Sequence, residues 1–195
     1  MTHSEYFLKK LASEKVTGDF YPFDTGEIDK VEDYIRQIVG RLKNNQKIII
    51  EPDFDYYGSG FASYINVRIS KRDKSDSKIT TDKNRVTKCT KGLLLYISNL
   101  TPFWYYGTAE WDRTTENGVF KSGSTGFLRP HSIDNIDTQL WTNDIEKIKL
   151  VMSDFGYYLL TRQEVEDPID FKVNMASNLI EKPTKVFDCF FHWED

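Results

Sequence analysis

Two apolar periods divide this chain. Ile28, Val31, Tyr34, Ile35, Ile38, Val39 and Leu42 recur at three- and four-residue spacing and predict a helix with one buried side. Asp24, with Glu27 three positions on, has the form of a capping box that starts this helix, and Asn44-Asn45 stops it. A shorter helix is predicted over residues 5–14, with Tyr6, Phe7 and Leu11 on one side. The run Ile48-Ile49-Ile50 then reads as a buried strand. From Phe61 the period falls to two: Phe61, Ser63, Ile65, Val67 and Ile69 alternate with Ala62, Tyr64, Asn66 and Arg68, as in a half-buried strand. A further strand is predicted over 85–98, through the run Leu93 to Ile97. Residues 104–113 and 119–121 flank Asn117-Gly118, a dipeptide that tolerates the positive φ of a tight hairpin turn. A third helix is expected from Asn143, with Glu146 completing a capping box, Ile145, Ile148, Val151, Met152 and Phe155 as its apolar face, and Gly156 as its C-terminal glycine. Residues 157–161 and 186–193 read as closing strands, the second with Phe187, Cys189, Phe191 and Trp193 on one face. The segment 167–183 between them reads as irregular.

This order of elements predicts an α+β fold. The expectation is a single domain over residues 1–195, with an antiparallel meander sheet of about five or six strands and two or three helices packed on one face. A chain of 195 residues is within the ordinary range of one domain, and no linker-like composition divides it. Cys89 and Cys189 stand alone, as thiols of a reducing compartment do. No stretch approaches the roughly 20 apolar residues that span a bilayer, so a cytoplasmic location is expected.

Charge changes the picture. Residues 68–91 hold nine Lys or Arg against three Asp, net +6, so a whole-chain charge of −4 leaves −10 on the other 171 residues. The paired strands within 61–98 would carry this charge on a basic hairpin end, around residues 70–90, that projects into water. Clustered Lys and Arg can neutralise phosphates, which raises a nucleic-acid reading of 68–91. Three features weigh against it: the acidic body, the lack of any aromatic residue in the stretch, and the interruption of its positive field by Asp73, Asp76 and Asp82.

Candidate reactive groups are few. Glu51, Asp53 and Asp55 alternate along an extended segment and suggest a Mg²⁺-dependent hydrolase or nuclease, against the plainer reading of a polar strand end. Cys189 and His192 have the residue types of a thiolate–imidazole pair, yet in a strand their odd spacing sends them to opposite faces. His3 and His131 are isolated. No catalytic set, metal or cofactor is assigned. The run Phe103-Trp104-Tyr105-Tyr106 puts rings on both faces of its strand. One face fits a core; the other is either covered by a second layer or open, where rings anchor protein interfaces. Glu110 and Asp112 share the alternation of Trp104 and Tyr106.

The segments Gly156-Tyr157-Tyr158-Leu159-Leu160-Thr161-Arg162-Gln163-Glu164-Val165-Glu166-Asp167-Pro168 and Val186-Phe187-Asp188-Cys189-Phe190-Phe191-His192-Trp193-Glu194-Asp195 resemble the immunity proteins of bacterial toxin and contact-dependent competition systems. These are small acidic α+β proteins that bind and neutralise a cognate toxin. The resemblance implies a non-enzymatic partner-masking protein, and many such toxins are basic nucleases. An acidic surface with aromatic anchors suits that task, because opposite charge speeds encounter and buried rings hold the complex. The expected contact set is Trp104, Tyr106, Glu110, Asp112, Glu164, Glu166 and Asp167.

Overall fold

The computed structural model describes residues 3–58, 60–173, 175 and 184–194. Helices α1 (Glu5–Ala12) and α2 (Ile28–Leu42) lead into strands β1 (Ile48–Asp53), β2 (Phe61–Ala62), β3 (Tyr64–Lys71), β4 (Ser77–Asp82), β5 (Arg85–Ser98), β6 (Phe103–Glu116) and β7 (Val119–Thr125). Helix α3 (Thr138–Asp154), strand β8 (Tyr158–Leu159), the short helices α4 (Arg162–Glu166) and α5 (Val186–Phe190), and strand β9 (Trp193–Glu194) follow. The expected α+β architecture is present, with a sheet of seven strands in place of five or six. Its antiparallel path is β1-β3-β5-β6-β7; β4 pairs with the outer part of β5, and β8 lies parallel to the inner end of β6. Strands β2 and β9 form a separate pair.

Helices cover both faces of the sheet, not one. Ile65, Val67 and Ile69 of β3, Leu93, Leu95 and Ile97 of β5, and Trp104 and Tyr106 of β6 pack under α2 and α3. The alternate residues Tyr64, Leu94, Tyr96 and Tyr105 pack with Leu8 and Leu11 of α1, Val165 of α4, and Val186, Phe187, Cys189 and Phe190 of α5. A strand apolar at every position, as β5 is from Leu93 to Ile97, needs a cover on each side; the period-two reading of β3 concealed this because Tyr64 and Asn66 look polar. Within α1 it is Leu8 and Leu11 that are buried, while Tyr6 points to solvent.

Several element boundaries move for local reasons. Asp24 belongs to a short 3-10 turn closed by Gly26 at φ 73°, so α2 starts after Glu27, with no side-chain cap. Helix α3 begins well before Asn143 because Asp137 caps it, accepting from the Leu140 N–H at 3.1 Å. The predicted strand over 186–193 is instead α5 followed by β9. Phe190 breaks the alternation, and Asp188 accepts from the Lys185 N–H at 2.7 Å, closing a helical first turn. The tight turn at Asn117-Gly118 is as expected, with φ of 50° and 78°. Within the irregular segment expected at 167–183, residues 174 and 176–183 lie outside the described residues.

The basic stretch is not a free hairpin end. Strand β4 folds back on β5, and β5 is paired on its other side with β6 along its whole length. Strands β5 and β6 have 14 residues each, so they run about 48 Å at about 3.4 Å per residue. The 17 residues of α3, the longest helix described, reach only about 25 Å. The sheet therefore outgrows its helices, and β4, β7 and the outer parts of β5 and β6 form a wing with largely exposed side chains. No helix among the described residues is long and apolar enough to cross a membrane.

Candidate binding surface

The seven residues expected at a partner surface fall in three separate places. Trp104 and Tyr106 are core residues, 1% and 7% exposed, stacked on each other at 5.4 Å beneath α2 and α3. They are thereby removed from the contact set: the face of β6 they occupy has its second layer. Glu110 and Asp112 do share that alternation, but farther along β6: Glu110 lies at the start of α3, sharing a pocket with Asp137, Leu140 and Trp141, and Asp112 is two positions further on. There Lys91 lies across from Glu110, and Asp112 accepts a hydrogen bond from the Ser124 hydroxyl. Glu164, Glu166 and Asp167 sit at α4, on another side of the molecule.

Two of the three acids at α4, Glu164 and Glu166, are already committed internally, while Asp167 is exposed. Glu164 completes a capping box with Thr161; burial alone would raise its carboxyl, but the Thr161 backbone and hydroxyl hydrogen bonds hold it below the ordinary value. Glu166 pairs with Arg162 at 2.8 Å, which also holds its carboxyl low, and Arg162 reaches Asp134 as well. Glu5 pairs with Lys9. A groove of about 290 Å³ runs between α1 and α4, lined by Glu5, Glu164, Asp167 and Asp170.

The remaining candidate chemistry does not assemble. Asp53 Oδ1 accepts from the Asp55 N–H at 3.0 Å, which turns the chain and takes Asp55 off the strand that carries Glu51. Among the described residues no three His, Cys, Asp or Glu side chains are grouped to hold a metal ion. Cys189 and His192 are both buried at the α5 end of the core, and burial acts on them in opposite directions. It pushes the thiol up to about 12 and the imidazole down to about 4, so at neutral pH both are uncharged, the reverse of an activated thiolate–imidazolium pair.

The wing differs in kind. On the side that continues the α5 face of the sheet, a groove of about 600 Å³ crosses β1, β3, β5, β6 and β7. Strand register builds it: Arg68, Thr90 and Trp111 lie on adjacent strands with their side chains on one face. The glycine at 92 is required here, because a Cβ would meet Trp111 Cη2 at 2.3 Å and the Ile69 carbonyl at 2.4 Å; its absence lets the indole form the floor. Arg68, Lys88 and Arg113 supply positive charge, and none of them has an ion pair among the described residues. Arg113 lies over the Phe120 ring at 5.6 Å. Two polar atoms in the groove, Arg68 Nε and Thr125 Oγ1, are buried without a hydrogen-bond partner among the described residues. Glu51, across the strand pair from Arg68, is the acid whose side chain shares this face; Asp112 borders the groove but carries its carboxylate on the opposite face of β6. Ile79 and Phe120 stay exposed on the same side, and Val119 is exposed at the tip.

Two obstacles to ligand binding by residues 68–91 thus disappear in three dimensions. The stretch has no ring of its own, yet β6 and β7 bring Trp111 and Phe120 to it. Its acids point elsewhere: Asp76 accepts from the Lys71 N–H at 2.7 Å, Asp73 closes a turn with Ser75 at 3.0 Å, and Asp82 lies across from Arg85 on the opposite face of the wing. Comparison with protein-family models, with curated proteins and with solved structures finds no match to this chain.

Proposed function

We propose that this chain is a non-enzymatic binding protein of the cytoplasm that neutralises a cognate toxin by covering part of its surface, and that the covering surface is the open face of the wing. The toxin as partner comes from the resemblance to immunity proteins; the choice of surface comes from the geometry. What carries it is the coincidence on one uncovered face of exposed Ile79 and Phe120 with Arg68, Lys88 and Arg113, cations that have no ion pair among the described residues. Arg and aromatic side chains are the types that dominate interface energetics, and a charge without an internal partner has the most to gain from an external one. Of the acids at α4, Glu164 is spent on a cap and Glu166 on an ion pair, so a partner has to displace those bonds to use them.

The test is a binding measurement between this protein and the product of the adjacent gene. Phe120→Ala and Ile79→Asp are each expected to weaken the complex by about 2 kcal/mol, roughly thirtyfold, while Glu164→Gln leaves it nearly unchanged. Absence of any complex, or loss of affinity in Glu164→Gln alone, would defeat the proposal.

A further inference from the structure

Resting on that reading, we infer that the wing groove receives an extended, acidic segment of the partner protein, whose carboxylates are taken by Arg68 and Arg113 and whose backbone lies along the free edge of β7.

Four observations on different levels lead there. First, the charges fit an anion. Guanidinium groups present parallel donors that match a carboxylate in a bidentate way, and the buried Arg68 Nε is a donor with no acceptor among the described residues. Leaving such a group unsatisfied is unfavourable, so a ligand that supplies an acceptor gains from its rescue. Thr125 Oγ1 is a second buried polar atom in the same groove awaiting a partner. Second, the shape fits a chain. The groove crosses five strands and ends beside β7, which among the described residues is paired only with β6, so the backbone groups along its outer edge are open to an added strand. Alternate side chains of that strand would enter the groove and the others would face solvent, so acids at every second position are the expected pattern. Third, the rim is aliphatic and aromatic: Ile79 and Phe120 flank the cations. Such a border suits a segment with apolar residues beside its acids.

The fourth observation separates a protein segment from a nucleic acid. A polynucleotide carries its negative charge far beyond the groove, and the body of this protein, −10 outside residues 68–91, opposes it wherever the two come within about 8 Å, the screening length at physiological salt. A peptide carries only the carboxylates the groove takes. Phe120 is the single strongly exposed ring in the groove, whereas tracking a single strand uses successive stacking platforms. Glu51, facing Arg68 across the strand pair, is a built-in competitor for that guanidinium and supplies an internal check.

Three labelled probes test the inference by fluorescence anisotropy on the intact protein: a peptide of alternating valine and glutamate, the same peptide with glutamine for glutamate, and an oligothymidylate of equal charge. The acidic peptide is expected to bind, with roughly tenfold weakening in Arg68→Gln and in Arg113→Gln and a tightening in Glu51→Gln, while the neutral peptide and the oligothymidylate bind at least about tenfold more weakly. Arg113 and Glu51 are exposed, so their variants report on binding even where Arg68→Gln perturbs the sheet. Failure of the acidic peptide to bind, equal binding of the neutral one, tighter binding of the oligothymidylate, or indifference to Arg113→Gln and Glu51→Gln overturns the inference. If the adjacent gene product binds through Phe120 but ignores Arg68 and Arg113, the toxin-neutralising reading stands and this one falls.

Discussion

Strands β5 and β6 pass through two environments, and the contrast between them separates what holds the molecule together from what it offers to others. Over their inner halves Leu93 to Ile97 and Trp104 to Tyr106 are sealed between α2 and α3 on one face and α1, α4 and α5 on the other. Over their outer halves the same strands are flanked by β4 and β7, whose side chains are almost all exposed. Backbone pairing continues without change from one half to the other, so hydrogen bonding does not distinguish them. Burial does. The inner half contributes apolar area removed from water; the outer half has an unburied surface and unpaired charge.

The largest test of this comparison is Trp104→Ala, which removes a fully buried indole between α2, α3 and the sheet and is expected to cost about 3–5 kcal/mol, read from denaturant unfolding. Phe120→Ala, a similar truncation on the wing, is expected to stay within about 0.5 kcal/mol. Equal losses at the two positions would show that the wing is as integral to stability as the core.

The next effect is pH dependence carried by His192, buried at the α5 end of the core. Its imidazole is pushed down to about 4 by burial, against 6.5 for an exposed one. Between these values the unfolded chain binds the proton and the folded one does not. Stability is therefore full above about 6.5 and falls as pH drops toward about 4, by about 3 kcal/mol in all. His192→Phe should flatten the profile in that window; an unchanged profile would show that His192 is not the group responsible.

The smallest is at the boundary between the halves. Gly92→Ala places a methyl against Trp111 and the Ile69 carbonyl, and the strain is expected to cost about 1–3 kcal/mol and to tilt the floor of the groove. The measurement is unfolding together with tryptophan emission. Wild-type stability would mean that the indole shifts freely and is no fixed floor.

A buried ion pair links the basic stretch to the core. Lys71, at the end of β3, meets Asp144 of α3 at 2.5 Å and lies over Trp141 at 4.3 Å, while Asn45 donates to the other oxygen of Asp144 at 2.9 Å. Asp144 falls within the capping box expected at Asn143-Glu146, and its burial mid-helix shows why that start was misplaced. A carboxylate in a first turn and one reaching across to a distant lysine are identical in sequence.

Local periodicity was sufficient to determine α2, β3, β5, the hairpin of β6 and β7, and the α+β class, because these depend on which residues alternate and where a positive φ is needed. The even-numbered face of β6 was also legible as a unit: Trp104, Tyr106, Glu110 and Asp112 do share it. Only the tertiary structure decided where along that face the cover ends, since this depends on the length of α3 against that of β6 and on which side each helix docks. The groove was equally hidden. Arg68, Lys88, Trp111, Arg113 and Phe120 come from four strands, and each strand's register, not any spacing in the chain, brings them together.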